Sequence, residues 1–147
     1  MTEKIYKFGK SELTLRFGDI TTAKTEVVVS SDDNYITMGG GVSAAILRAG
    51  GNEIAMDAAK KVPAKLGDVI ITTAGRLKSK FIFHAITIGT DSTKNSPNEI
   101  VKPILLKCLD MLSVLGISSI AFPTLGAGVA GFSYEAIAIE MSTVISD

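Results

Sequence analysis

The 147-residue sequence has little of what marks several large protein classes. A single cysteine, Cys108, excludes an intrachain disulfide. No apolar run is long enough to cross a bilayer, and no N-terminal stretch resembles a signal peptide. Fifteen basic and fifteen acidic residues give zero net charge, which disfavours broad electrostatic binding to nucleic acid. We therefore expect a cytoplasmic protein with no membrane partner, and the charge balance disfavours nucleic acid as a partner.

The composition indicates one folded domain. Hydrophobic residues make up 46% of the chain and charged residues 20%, which disfavours disorder. Strand-like and helix-like segments alternate, which predicts an α/β fold, a three-layer α/β/α sandwich around a mixed central sheet. We predict strands at 5–8, 13–17, 27–29, 69–73, 81–88 and 119–122. Helices are predicted at 42–49, at 53–61, from about 95–97 to 115, and at 133–145.

Two glycine-rich loops carry most of the functional information. Residues 38–42 (MGGGV) precede a predicted helix, and residues 126–132 (GAGVAGF) lie between a predicted strand and a helix. Such loops present free backbone N–H groups at the positive end of a helix, where phosphates bind. Two of them suggest a ligand with two phosphates, and the alternative is that the glycines only form tight turns. The second loop matches G-x-G-x-x-G, but too little chain follows it for a dinucleotide-binding half-domain.

Three carboxylates lie near predicted strand ends. Asp19 can accept a hydrogen bond from an exocyclic amine such as that of adenine, or it can simply cap a turn. Asp32 and Asp33 follow the buried strand at its carboxyl end, where open α/β sheets bind ligands. One of the pair could bind ribose hydroxyls, and the alternative is a solvated pair in a loop.

Two other reactive residue types have structural interpretations. His84 is the only histidine and lies in an apolar strand, which favours a hydrogen-bonded structural histidine over a catalytic one. Cys108 has apolar helical neighbours, which favours a core thiol over a nucleophile. Because no His/Cys cluster has metal-ligand spacing, we expect neither a metal nor another cofactor.

The order of these segments resembles that of a macro domain, the ADP-ribose-binding module, from about residue 13 to residue 140. The segments that carry the resemblance are GDIT (18–21), VVV (27–29), MGGGV (38–42), FHA (83–85) and AFPTLGAGVAG (121–131). The resemblance implies that Asp19 contacts the adenine amine, with backbone contacts from Ile20 beside it. It implies that the diphosphate is wrapped by Gly39, Gly40, Gly41, Val42, Gly126, Ala127, Gly128 and Val129. The residues after Val29, together with Ala130, Gly131 and Phe132, would enclose the distal ribose.

The departures from the family pattern concern catalysis. Macro domains usually carry Asn-Ala-Ala-Asn after the third strand, where this chain has SSDD at 30–33, so that Asp33 stands at the second Asn. Many de-ADP-ribosylating members have an acidic residue at the position of Ser43 and an aromatic ring at that of Ala130. These changes favour a binding module. The alternative is an ADP-ribosyl hydrolase or ADP-ribose phosphatase that acts through Asp33, which is the one catalytic candidate.

The resemblance also sets expectations for the chain as a whole. We expect residues 1–147 to form a single macro-like domain whose partner is ADP-ribose or an ADP-ribosylated protein. The family usually ends with one more strand, whereas this sequence stops after a predicted helix. We therefore expect either a segment of a longer parent chain with fused domains or a domain that lacks the last strand.

Overall fold

The structure is a computed structural model that describes residues 3–8, 11–16, 18–88 and 97–124. These ranges contain six strands and three α-helices. In chain order they are β1 (Glu3–Phe8), β2 (Ser11–Arg16), β3 (Val27–Asp33), α1 (Gly41–Gly50), α2 (Asn52–Ala59), β4 (Val69–Thr73), β5 (Phe81–Ile88), α3 (Pro97–Leu115) and β6 (Ile120–Ala121). A 3-10 turn, Ile20–Thr22, lies between β2 and β3. The second glycine loop and the helix predicted at 133–145 lie outside the described residues.

The central sheet is mixed, as predicted. Its strand order is β4-β5-β3-β6, with β3 parallel to both β5 and β6 and β4 antiparallel to β5. Strands β1 and β2 form a separate antiparallel pair. Because β3, β5 and β6 are parallel, their carboxyl ends lie at one edge of the sheet.

The two faces of the sheet are covered by different helices, which gives the predicted three layers. Side chains alternate between the faces along each strand. Val27, Val29 and Phe83 pack with α3 on one face, and Val28 and Ile82 pack with α1 and α2 on the other. The α3 face also holds Cys108, which is fully buried, so the prediction of a core thiol is confirmed. None of the described helices is long and apolar enough to cross a membrane.

The carboxyl end of β3 is the point where the chain connections diverge. The connection from β3 towards β5 runs through α1 and α2 on one face, and the connection from β5 to β6 runs through α3 on the other. Open α/β sheets bind their ligands at such a switch point. Strand β3 is also longer than the predicted 27–29, because it continues to Asp33. Asp32 and Asp33 are therefore its last two residues.

Candidate functional site

The first glycine loop leads directly into α1 and leaves its first amides free. Helix α1 begins at Gly41, and its N-cap residue, Gly40, provides no side-chain hydrogen bond. The amide of Ala44 makes the first helical bond, to the carbonyl of Gly40 at 3.3 Å. The N–H groups of Gly41, Val42 and Ser43 consequently have no acceptor within the helix. Such donors at a helix N-terminus suit a phosphate oxygen.

The glycines of this loop are not equivalent. Gly41 has φ +60°, a left-handed conformation that favours glycine. Gly40 has φ −160°, which any residue adopts, and a Cβ built there meets none of the described atoms within 4 Å. Among the described residues, neither backbone conformation nor packing therefore requires glycine at position 40. A ligand that approaches the backbone closely would require it.

Asp33 holds the segment between β3 and the glycine loop. Its Oδ1 accepts hydrogen bonds from the amides of Tyr35 at 2.9 Å and Thr37 at 3.3 Å, and the Thr37 hydroxyl donates to Oδ2. This segment contains two non-glycine residues in the left-handed region, Ile36 at φ +50° and Met38 at φ +54°. Both side chains are buried. The carboxylate and the buried side chains together hold an unfavourable backbone conformation beside the glycine loop.

Asp32 belongs to a buried polar network. It is 2% exposed, and its Oδ2 lies 2.7 Å from Nδ1 of His84, which is fully buried. The Ser43 hydroxyl, in the first turn of α1, donates to Oδ1 of Asp32. On the other side of the imidazole, Nε2 of His84 lies 2.7 Å from Oγ1 of Thr72 on β4. His84 is thus a hydrogen-bonded structural histidine, as predicted, while a solvated loop pair is the wrong description for Asp32.

Asp19 caps the 3-10 turn that precedes β3. Its Oδ1 accepts hydrogen bonds from the amide of Thr21 at 2.9 Å and from the Thr21 hydroxyl at 2.8 Å. The bond from the Thr21 hydroxyl, and after it the bond from the Thr21 amide, favour the ionised form and lower the pKa of Asp19 below its ordinary value. The side chain is exposed, and its Oδ2 has no hydrogen-bond partner among the described residues. The capping role therefore leaves one carboxylate oxygen for a ligand.

A family model for the macro domain matches residues 29–141. The chain belongs to the macro domain family. It is 36% identical over 148 residues to an uncharacterized protein of Pyrobaculum aerophilum, an alignment that covers 97% of this chain and 79% of the relative. It is 29% identical over 128 residues to a Pantoea vagans protein named O-acetyl-ADP-ribose deacetylase 1, which covers 84% of this chain and 75% of the relative.

Solved macrodomains have the same fold. An Oceanobacillus iheyensis macrodomain with ADP matches with a TM-score of 0.85 at 29% identity, which covers 99% of this chain and 81% of the other. A variant of that macrodomain with ADPR matches with a TM-score of 0.85 at 28% identity, covering 99% and 83%. The same macrodomain with MES bound matches with a TM-score of 0.87 at 28% identity, which supports the predicted fold class.

The structure brings together part of the predicted site of this macro domain. The turn that holds Ile20 packs against α1, whose first residues are the glycine loop, and Asp33 lies in the preceding segment. The predicted contacts of the second loop lie outside the described residues, namely Gly126, Ala127, Gly128, Val129, Ala130, Gly131 and Phe132. Strand β6, which precedes that loop in the sequence, pairs directly with β3.

Sequence reasoning missed the network around Asp32. The available signal was the lone histidine in an apolar strand, because a buried imidazole needs polar partners at both nitrogens. Neither Ser43 nor Thr72 carries a local pattern that assigns it to His84 or Asp32. Within the described part of the chain, no three His, Cys, Asp or Glu side chains come together as metal ligands would.

Proposed function

We propose that this macro domain binds ADP-ribose, free or attached to a protein, with its diphosphate on the amides of residues 39–42. The observation that carries the proposal is the start of α1. The helix amides of Gly41 and Val42, which belong to this loop, have no acceptor in the helix, and Gly40 is a glycine that the described fold does not require. A diphosphate can accept from those amides only if no side chain stands between them.

The adenine end of the ligand is proposed to lie at Asp19 and Ile20. The unpartnered Oδ2 of Asp19 can accept a hydrogen bond from the adenine amine, while Oδ1 keeps the carboxylate in place through Thr21. A base with a carbonyl at that position would face the negative carboxylate. We therefore expect the site to prefer adenine over hypoxanthine.

The remainder of the ligand is assigned by family resemblance. Residues 126–129 would complete the diphosphate site, and residues 130–132 would enclose the distal ribose with Asp33. The pairing of β6 with β3 supports this arrangement, since parallel neighbours end at the same edge of the sheet. A cytoplasmic location and fused neighbouring domains also remain predictions from the sequence.

Calorimetry with free ADP-ribose tests the proposal. We expect one-to-one binding by the parent chain, weaker binding of the hypoxanthine analogue, and a loss of about 1–3 kcal/mol in Asp19→Ala, the range for an unsatisfied group or a lost charge-assisted hydrogen bond. Asp68→Ala, which removes another partly exposed loop carboxylate, is the matched control. No heat with ADP-ribose at millimolar concentration would contradict the proposal.

Hydrolysis of an ADP-ribosyl bond or of a terminal phosphate through Asp33 is the second candidate function. It is favoured by the position of Asp33 beside the glycine loop. The name of the Pantoea vagans relative describes a different hydrolysis, the removal of the acetyl group from O-acetyl-ADP-ribose. Against the second candidate function, the Asp33 carboxylate already holds its own loop, and the Ser43 hydroxyl is directed to Asp32. We expect little or no turnover.

A time course of ADP-ribose release from a mono-ADP-ribosylated protein separates the two functions. Residual activity at the level of the protein-free control supports a binding module. Multiple turnover that disappears in Asp33→Asn, with ADP-ribose affinity retained, would make this domain an enzyme.

A further inference from the structure

We infer that Asp32 is a positioning residue, which fixes the first turn of α1 to the sheet through Ser43 and so sets the amides of the glycine loop. The inference rests on the proposed function for its ligand. The anchoring itself rests on geometry in the described residues. Asp32 does not need to contact the ligand for this role, because it acts through the helix.

The network runs across the sheet on one face only. Asp32, His84 and Thr72 belong to β3, β5 and β4, three neighbouring strands, and they lie on the face that α1 and α2 cover. The bond from Ser43 extends the network to α1. The first turn of the helix is therefore connected, through side chains alone, to the buried centre of the sheet.

The position of this network indicates a role beyond stability. A buried carboxylate is costly unless it is paired, and replacing a whole buried polar pair by well-packed apolar residues is often neutral or stabilising. The α1 face also carries apolar side chains, including Val28, Ile46 and Ile82, and one further buried polar residue of β3, Ser30. Asp32 brings the network to the carboxyl end of β3, next to a helix terminus that the proposed ligand would contact, and His84 and Thr72 continue it towards the centre of the sheet.

A count of hydrogen-bond donors and acceptors shows that Asp32→Asn is the variant that preserves the bonds of the network. In the wild type, the Ser43 hydroxyl and Nδ1–H of His84 both donate to Asp32. In Asp32→Asn, the amide oxygen still accepts from Ser43, and the amide nitrogen donates to Nδ1 of the other His84 tautomer. Nε2–H of that tautomer then donates to Thr72, whose hydroxyl can donate to the carbonyl of Thr73, 3.0 Å away. Each hydrogen bond of the network therefore keeps a donor and an acceptor, and the second N–H of the asparagine amide is the one donor that the substitution adds.

Ser43→Ala is the most direct test, because it removes the link to α1 and leaves the Asp32–His84 pair in place. The matched control is Thr87→Val, which removes a 2.7 Å hydrogen bond between Thr87 and Ser31 that also joins β3 to β5. These two residues alternate with Asp32 and Ile86, so their bond lies on the α3 face. The control thus removes a similar bond without touching α1.

The first readout is amide hydrogen exchange at Ala44 and Ala45 in the ligand-free protein, measured by NMR. The second is the affinity for ADP-ribose. If the binding-competent first turn falls to about a tenth of the population, exchange at these amides accelerates and ADP-ribose affinity drops about tenfold. We expect both effects in Ser43→Ala and Asp32→Ala, near-wild-type values in Asp32→Asn, and no local change in Thr87→Val.

The outcomes separate this inference from the proposed function. Faster exchange in Ser43→Ala combined with no ADP-ribose binding by the wild type would refute the proposed ligand and support the anchoring. Unchanged exchange and affinity in Ser43→Ala would overturn the inference, as would an Asp32→Asn variant that loses as much affinity as Asp32→Ala. If Asp32→Ala does not fold, Ser43→Ala and Asp32→Asn still decide the matter.

Discussion

The two faces of the central sheet solve the same packing problem in different ways. On the α3 face, Val29 and Phe83 meet the apolar side chains of α3. On the α1 face, the carboxyl end of the sheet instead buries Asp32 and His84, hydrogen-bonded to each other. The α3 face stabilises the fold mainly by apolar burial. The α1 face also fixes the first turn of α1. Hydrogen bonds hold this helix terminus at a defined position, where packing alone would allow it to shift.

The largest expected effect on the free energy of unfolding comes from removing one partner of the buried Asp32–His84 pair. His84→Leu leaves the Asp32 carboxylate buried without its main partner, and we expect a loss of about 3–5 kcal/mol in the free energy of unfolding. On the α3 face, Ile104→Val should cost about 0.5–1.5 kcal/mol. Urea titrations of both variants measure the difference.

The double variant Asp32→Leu, His84→Leu sharpens that measurement. Because it removes both polar partners, it should recover part of the stability lost in His84→Leu. A loss in His84→Leu no greater than that in Ile104→Val would show that the two faces do not differ in this way.

The next largest effect is expected at Asp33. Asp33→Ala removes the acceptor for the Tyr35 and Thr37 amides and leaves Ile36 and Met38 in strained conformations. We expect a loss of about 1.5–3 kcal/mol in the free energy of unfolding, as for hydrogen bonds to charged groups. Asp33→Asn, which keeps an acceptor, should lose less. Thermal melts of the two variants compare them, and equal melting temperatures would contradict the assigned role.

The smallest effect is expected on the α3 face, at Cys108. Burial raises the pKa of its thiol from 9.0 to about 12, so almost no thiolate forms in the folded protein at pH 8. A thiol reagent should therefore react only as fast as the protein unfolds, and the rate should rise with urea. Rapid labelling without denaturant would contradict this prediction, because it would show that the Cys108 thiol is accessible in the folded protein.

The fold could be predicted from sequence because its signals are local. The β-branched run at 27–29, the apolar strand at 81–88 and the glycine loop before α1 each carry a pattern within a few residues. The extent of β3 was underestimated, because the polar residues that end the strand, Ser30 to Asp33, resemble a loop. Their burial depends on partners elsewhere in the chain, and a local pattern does not contain those partners.

The candidate site could be predicted only in part, because some of its contacts join residues that are distant in the sequence. The assignment of Asp19, Asp33 and residues 39–42 to a ligand site stays a prediction from motif order, and the different environments of Asp32 and Asp33 were not predicted. These adjacent carboxylates point to different environments, since a strand alternates its side chains and the register shifts between them. The Asp32 carboxylate is hydrogen-bonded to His84, 52 positions away in the sequence. The Asp33 carboxylate instead accepts from the amide of Tyr35 in the adjoining loop. Only the three-dimensional pairing separates the two.

The most direct test of the central claim is ADP-ribose calorimetry on Gly40→Val. This substitution fits the extended backbone at position 40 and meets no described atom, so its cost in stability should stay near 1 kcal/mol, as for other N-cap replacements. Ala49→Val, an exposed change near the other end of α1, is the matched control. We predict that Gly40→Val, still folded by circular dichroism, binds ADP-ribose about 10- to 100-fold more weakly, because the valine keeps the diphosphate from the helix amides and a lost hydrogen bond to a charged group costs about 1.5–3 kcal/mol. Wild-type affinity in folded Gly40→Val would contradict the claim that this glycine loop holds the ligand.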